Sequence, residues 1–425
     1  YGWRGAQVGN ILRFEKDYPM ANVIKLEENY RSTGRILDAA NSIIINNKER
    51  LGKSLKTSLE KGEKIDLISV WDGIEEAKKT SNEIERLFSL GFKYDQMAVL
   101  VRAGHQTRFF EERFVDIGIP YKVIGAKFYE RLEIRDALAY LRVVQQPNDD
   151  LALERIINVP KRGLGTNTTS LIHSYARKNN ISFFMASQEL LMTDELRPNV
   201  KRTLELLINQ FNDWRNQEKI IPHTDLALKV LEESGYISHW QNEKSIEGEG
   251  RLENLKELIN AMSGFENLSG FLEHISLVMD GDNEAEAGEV SLMTLHAAKG
   301  LEFDAVFLPG WEEGLFPSQR SIDELGLAGL EEERGLAYVG ITRAKKRLFI
   351  TFAANRQIHG LWQGSIPSRF ISELPKNDLN ENIEGNLGAE ASSYNQINFE
   401  VTNDNFSYGP GYFRAKKRGI NVLDV

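Results

Sequence analysis

Several strings in this sequence set charged, aromatic and glycine residues where a nucleotide or a phosphate backbone could be held. In Leu26-Glu27-Glu28-Asn29-Tyr30-Arg31-Ser32 a tyrosine ring and a guanidinium stand side by side just before a helix-like stretch. The ring offers a stacking plane for a base, and the guanidinium a planar fork for phosphate oxygens. A buried tyrosine beside a surface ion pair would leave the same string. Thr294-Leu295-His296-Ala297-Ala298-Lys299-Gly300-Leu301-Glu302-Phe303-Asp304 joins two strand-like runs. Its hydroxyl, imidazole and ammonium suit phosphate contact, and the Glu302 carboxylate can accept from a ribose hydroxyl. A structural histidine is the alternative, because no second histidine or carboxylate here has metal-ligand spacing. In 331–346 an acidic helix start is followed by Arg334 and Arg343, nine residues apart. An arginine against a nucleotide γ-phosphate stabilises the charge of phosphoryl transfer; an ordinary charged helix would read the same way.

Tyr1, Trp3 and Arg4 have the composition of a stacking platform for single-stranded bases. Pro160-Lys161-Arg162-Gly163-Leu164-Gly165-Thr166 is either a phosphate-facing turn with exposed backbone N–H groups or a plain helix–helix turn. Gly52-Lys53-Ser54 imitates a phosphate loop, but that loop needs a further glycine at position 47, where Asn47 stands, and a strand leading into it. It is a decoy. Arg414, Lys416, Lys417 and Arg418 are a solvated basic cluster or a contact for nucleic acid or a partner.

The elements that must position these residues follow from periodicity. Ile36, Leu37, Ala40, Ile43 and Ile44 share one helical face, with Ser32 and Thr33 as capping candidates. Residues 65–70 (IDLISV) read as a strand, and Ile74, Ala77, Ile84, Leu87 and Phe88 as an amphipathic helix stopped at Gly91. The continuous apolar run 97–101 (MAVLV) is the kind found in a parallel sheet covered on both faces. From about 136 to 288 strand signals almost vanish, while Leu252, Leu255, Leu258, Ile259 and Met262 repeat with a helical period. Strands resume at 290–295, 305–308 and 348–352. An α/β pattern broken by a helical block predicts one domain inserted into another, with the acidic loop 280–286 at the return.

Composition narrows the class. The chain has 425 residues, 62 acidic and 52 basic, for a formal charge of −10. Hydrophobic residues at 41% and charged residues at 27% exclude a fibrous or wholly disordered chain. No stretch nears the roughly 20 apolar residues of a membrane-spanning helix. With no cysteine, disulfides and thiolate-ligated metals are excluded, and a cytoplasmic setting is expected. A local basic groove can still hold a phosphate backbone in an acidic protein.

Taken in order, these strings resemble the UvrD/PcrA/Rep family of superfamily 1 DNA helicases. YGWRGA (1–6) is similar to the end of the family's third motif and LEENYRS (26–32) to its fourth. GIPYKVIGAKFYERLEIRDALAYLR (118–142) resembles the segment leading to the inserted domain, and NVPKRGLG (158–165) that domain's duplex-facing turn. MTLHAAKGLEFDAVFLPGWEEGLFP (293–317) resembles the fifth motif region and EEERGLAYVGITRAKKRL (331–348) the sixth. The resemblance covers 1–374 in the right order.

It implies an α/β fold: a RecA-like parallel-sheet domain, the second of two motor domains, interrupted by a mainly α-helical inserted domain and followed by a flexible C-terminal tail. The expected boundaries are 1–22 for a remnant of the first RecA-like domain, 23–142 and 289–375 for the two parts of the second, 143–288 for the insertion and 376–425 for the tail. The implied activity is that of an ATP-dependent 3′-to-5′ DNA helicase in repair or replication, a monomer or transient dimer. Its implied partners are single-stranded DNA, single/double-strand junctions and repair or replication proteins.

Carried over residue by residue, the resemblance has Tyr30 stacking on adenine. Arg31 and Arg343 would meet the γ-phosphate, Arg343 as the arginine finger, and Glu302 would touch the ribose. Tyr1 and Trp3 would stack on bases, with Arg4 coupling that platform to the nucleotide. Thr294, His296, Ser368 and Arg369 would bind backbone phosphates, while Lys161, Arg162, Gly163 and Gly165 would lean on the duplex ahead. There are departures: Gly335 stands where a second arginine is usual, His359 where Phe or Tyr usually stacks on a base, and Ala126 where a glycine is usual. The family's Gly-Lys-Thr phosphate loop and Asp-Glu magnesium motif do not occur. ATP with Mg²⁺ is therefore expected to draw its lysine and metal ligands from residues upstream of Tyr1, and the chain alone is expected to be ATPase-inactive. A non-catalytic scaffold that binds DNA or a repair partner is the alternative. A helicase–nuclease subunit is a weaker one, since the residues after 375 have no strand pattern to carry a nuclease.

Overall fold

The apolar run 97–101 is buried along its whole length inside a parallel sheet. The computed structural model describes residues 14, 17–18, 20, 24, 27–47, 55–243, 246–279, 288–358 and 361–382. Tyr1, Trp3, Arg4, the Gly52-Lys53-Ser54 string, the acidic loop 280–286, His359 and the C-terminal basic cluster lie outside them. In chain order the strands are β1 (Ile65–Val70), β2 (Met97–Val101), β3 (Tyr121–Val123), β4 (Val290–Thr294), β5 (Phe303–Leu308), β6 (Ala344–Ala353), β7 (Asn355–Ile358), β8 (Leu361–Gly364) and β9 (Leu379–Asn382). Seven of them form one sheet in the order β3-β4-β2-β5-β6-β1-β9, parallel at every pairing. β7 and β8 form an antiparallel hairpin that leaves the carboxyl end of β6.

Side chains alternate between the two faces of this sheet. Met97, Val99 and Val101 join one core with Leu292, Phe307 and Phe349. Ala98 and Leu100 join the other with Met293, Val306, Leu308 and Ile350. The helices Gly73–Ser89 and Thr107–Ile117 cover the first face through Ile84, Leu87, Phe110 and Phe114. Gly34–Ile44 and Leu327–Ile341 cover the second through Ile36, Ile43, Ala337 and Ile341. With both faces covered, β2 reads as an unbroken apolar run rather than an alternating one.

The helix starts follow side-chain chemistry only in part. Asp72 caps Gly73–Ser89 by accepting from the Glu75 N–H at 2.8 Å, and Gly91 takes the left-handed φ of +95° just past its end. Thr33 holds the N-cap position of Gly34–Ile44, yet neither expected side chain caps the helix. The Ser32 hydroxyl instead donates to the Ala344 carbonyl at 2.7 Å, which fastens this helix start to β6.

Between β3 and β4 the described residues contain helices and no strand, nine helices from Leu132–Gln145 to Leu268–Met279. They share a separate core built around Tyr140, Phe211, Trp214, Tyr236 and Phe271. The expected boundary at 142 falls within Leu132–Gln145, whose buried apolar residues all belong to that core. Arg108, near the start of Thr107–Ile117, ties the sheet side to this core: its guanidinium donates to Glu257 at 2.6 Å and to Glu112 at 2.9 Å.

Residues 376–382, expected at the start of a tail, are structured. Leu379–Asn382 adds to the edge of the sheet beside β1, pairing Leu379 with Ile65. Leu379 is buried. It is the lone apolar residue of that strand, too few for periodicity to detect, and Asn380 secures the edge by donating to Asp66 at 2.7 Å.

Candidate nucleotide and DNA sites at opposite ends of the sheet

Three segments distant in sequence meet at the amino ends of β5 and β6. The parallel register pairs Phe303 with Ala344, so the residues just before them, Glu302 and Arg343, become neighbours. The LEENYRS segment is fastened alongside. Its Asn29 carboxamide accepts from the Arg31 and Ser32 N–H groups, both at 2.9 Å, and the Thr33 N–H donates to the Lys345 carbonyl at 3.1 Å. Arg31 thereby reaches Glu302, 271 residues away in sequence, at 2.7 Å. Lys345 meets the other oxygen of the same carboxylate at 2.9 Å. Hydrogen bonds from Lys345 and Arg31 hold the Glu302 carboxyl at about 2, well below its ordinary value. Tyr30 is 79% exposed, its ring free to stack.

Arg343 is turned inward. Its guanidinium donates to the carbonyls of Val339 at 3.0 Å and Leu301 at 2.9 Å, and to the Thr342 hydroxyl at 3.2 Å. Burial, with Arg31 nearby, lowers its pKa from the ordinary arginine value. The other arginine of that string, Arg334, points elsewhere, into a bidentate pair with Glu373.

The second group of residues lies at the opposite edge. Thr294 closes β4 at its carboxyl end, partly buried, with His296 exposed on the turn that follows. β2 beside them is five residues long, which separates the two edges by roughly 17 Å. Arg369 lies on the carboxyl side as well, exposed but paired with Glu313 at 2.7 Å. Ser368 is buried, and its hydroxyl caps the short helix Arg369–Ser372 by accepting from the Phe370 N–H. A phosphate would reach Arg369 by displacing Glu313, and would not reach the Ser368 hydroxyl without moving that helix.

The turn at 158–165 divides its expected roles. Gly163 adopts φ +79°, a conformation that favours glycine, and Lys161 and Gly165 are exposed. Arg162 faces inward: it donates to the carbonyls of Ile156 at 3.0 Å, Val159 at 2.9 Å and Ser234 at 2.8 Å. These are carbonyls at or just beyond two helix ends, and a guanidinium satisfies them there.

Sequence reasoning missed Lys345. The strand expected at 348–352 in fact begins at Ala344, so the sequence offered no period to place Lys345. It also missed Glu333, read only as part of an acidic helix start. Glu333 is buried and grips Arg102 at the carboxyl end of β2, at 2.6 Å. The acidic run 331–333, expected at a helix start, lies in the second turn of Leu327–Ile341, and periodicity in such a charged run gives no sign of a buried partner. Among the described residues no group of three or more His, Asp or Glu is arranged to hold a metal ion, and no helix is long and apolar enough to cross a membrane.

A Rickettsia conorii protein named probable DNA helicase II homolog is 52% identical over 379 residues, covering 88% of this chain and 58% of that protein. Staphylococcus aureus ATP-dependent DNA helicase PcrA is 42% identical over 396 residues, covering 91% of this chain and 54% of that protein. DNA helicase II of Haemophilus influenzae is 43% identical over 396 residues, covering 90% and 54%. The chain spans little more than half the length of these curated relatives. The sequence model of the family described as UvrD-like helicase C-terminal domain matches residues 24–355, most of the chain, and the chain belongs to that family.

Proposed function

We propose that this chain forms one wall of the nucleotide cleft, and part of the DNA track, of an ATP-dependent DNA helicase that moves 3′ to 5′ on single-stranded DNA and unwinds duplex. The observation that carries the reading is the convergence of Arg31, Glu302 and Arg343 beside the exposed ring of Tyr30. In this reading Tyr30 stacks on the adenine, Glu302 accepts from the ribose, and Arg31 and Arg343 stabilise charge on the γ-phosphate. Thr294 and His296, with Arg369, follow the backbone of the tracking strand at the other edge. The turn Thr294–Glu302 runs between the two sites, so a change at one edge of the sheet can be felt at the other. Its partners are single-stranded DNA, single/double-strand junctions and proteins of repair or replication.

The described residues do not fit a magnesium site. The carboxylate nearest Arg31 is Glu302, and both its oxygens are held by cations. In this reading the metal ligands and the phosphate-loop lysine come from residues outside this sequence, and the chain alone does not hydrolyse ATP. ATP hydrolysis by the 425-residue chain, with and without single-stranded DNA, tests this. No turnover, restored when the preceding part of the protein is supplied, is the expected result. Absence of rescue would favour a non-catalytic scaffold. DNA-stimulated turnover by the chain alone would mean that a complete nucleotide site lies within it.

Lys161 and Arg162 are expected to behave differently. Lys161→Ala lowers the salt slope of tailed-duplex binding by about one, with stability unchanged. Arg162→Ala lowers stability by about 2 kcal/mol, because buried carbonyls lose their donor. An unchanged slope in Lys161→Ala would return the whole turn to a structural role.

A further inference from the structure

The nucleotide site holds one cation more than the two arginines. Lys345 Nζ lies 2.9 Å from Glu302 Oε1, while Arg31 Nε lies 2.7 Å from Glu302 Oε2. Each carboxylate oxygen has its own partner. The three side chains are 33%, 29% and 43% exposed, for Lys345, Arg31 and Glu302 in turn, so all are open to a ligand. The two cations differ in how they are held. Arg31 has a further donation at 3.4 Å to the carbonyl of Thr342, the residue before Arg343, and stands near enough to Arg343 to lower its pKa. Lys345 belongs to the first residues of β6, its backbone carbonyl taken by the Thr33 N–H at 3.1 Å. Its neighbour Lys346 faces away, paired with Asp304 at 2.8 Å.

A guanidinium fork that grips a carboxylate is the same fork that grips a phosphate. Arg31 therefore reaches a γ-phosphate by giving up Glu302. Without a second cation, that exchange would strand a carboxylate next to the incoming triphosphate, and like charges at such range repel. Resting on the nucleotide-cleft reading above, we infer that Lys345 is a positioning residue of that cleft: it keeps Glu302 neutralised after Arg31 leaves, so the γ-phosphate can compete for Arg31. The Glu302 carboxyl, held at about 2, stays ionised across the working pH range, so this competition does not relax through protonation.

The test is the KM for ATP in DNA-stimulated hydrolysis by the full-length protein that carries this chain. Lys345→Met is expected to raise KM about fivefold, with kcat changed less than about twofold. Lys345→Arg restores the parent KM. In a Glu302→Gln background the same Lys345→Met change shifts KM by less than about twofold, because no carboxylate remains to be neutralised. A merely structural lysine would instead lower the melting temperature, with a KM effect that persists in the Glu302→Gln background. An unshifted KM in Lys345→Met, or a shift that persists in the Glu302→Gln background, overturns the inference while leaving the cleft reading intact. A parent protein that hydrolyses no ATP even with DNA would overturn both.

Discussion

Arg343→Ala in the full-length protein is expected to lower ATP turnover on the order of a thousandfold or more, while single-stranded DNA binding stays within about twofold. The size follows from what an arginine does in phosphoryl transfer. Charge builds on the oxygens around the γ-phosphorus, and a fixed guanidinium there stabilises the transition state more than the bound substrate. The inward pose of Arg343 bears on how it is used. Its bonds to Val339, Leu301 and Thr342 keep it beside Glu302 and Arg31, and in the proposed cleft it would exchange some of those partners for phosphate oxygens. Arg343→Lys is expected to fail almost as badly, since an ammonium cannot bridge as the fork does. DNA binding is expected to be spared because the proposed DNA contacts, Thr294 and His296, stand at the other end of the sheet. Steady-state ATPase rates and DNA anisotropy titrations on the same preparations decide the matter. Turnover within about tenfold of the parent would remove Arg343 from the chemistry.

Arg356→Met is expected to destabilise the chain by about 3–5 kcal/mol at neutral pH, the largest stability effect among single substitutions considered. Arg356 lies between two carboxylates that are almost wholly buried, Glu76 at 2% and Glu312 at 1% exposure. It donates to Glu76 at 2.6 Å and to both oxygens of Glu312 at 2.7 and 2.8 Å. Glu76 in turn accepts from the Gly310 N–H at 2.9 Å and the Thr351 hydroxyl at 2.6 Å, and Glu312 from the Ala353 N–H at 2.6 Å. One guanidinium thus holds the carboxyl ends of β5 and β6 to the helix Gly73–Ser89 at the base of the β7–β8 hairpin. Removing it leaves two buried anions facing each other.

The pH dependence has a definite sign. Burial already pushes the Glu312 carboxyl above its ordinary value, and losing Arg356 pushes it further. A carboxyl with a raised folded-state pKa supports the fold when protonated and loses that support as pH rises through the folded pKa. The deficit of Arg356→Met relative to the parent should therefore shrink between pH 7 and about pH 5. Urea unfolding at both values measures it. A deficit below about 1 kcal/mol, or one that does not narrow on acidification, would mean that the cluster is relaxed or hydrated.

How much was legible in the sequence varied with how local the signal is. β1 and β2 occupy the residues read as strands; for β2, burial on both faces writes itself directly into an apolar run. The loss of strand signals from about 136 to 288 matches the helical stretch, because the apolar residues there repeat with a helical period. The edge strand Leu379–Asn382 was lost because four mostly polar residues, completed by backbone bonding to β1, carry no pattern of their own. The same limit hid Arg162. A Lys-Arg pair beside two glycines reads identically whether the guanidinium faces a phosphate or three carbonyls.

The sequence by itself determined the family, through long ordered strings, and the residue types of the candidate sites. It also marked the strands with strong apolar runs and the long helical block, since apolar periodicity is a property of neighbours along the chain. The tertiary structure alone decided that Glu302 sits between Arg31 and Lys345, that Arg343 turns inward, that Ser368 is spent on a helix cap, and that Arg356 holds two buried carboxylates together. Apart from the local Ser368 cap, these depend on strand register and on contacts between segments up to several hundred residues apart. Electrostatics is set by distance in space, and the chain records distance only along itself.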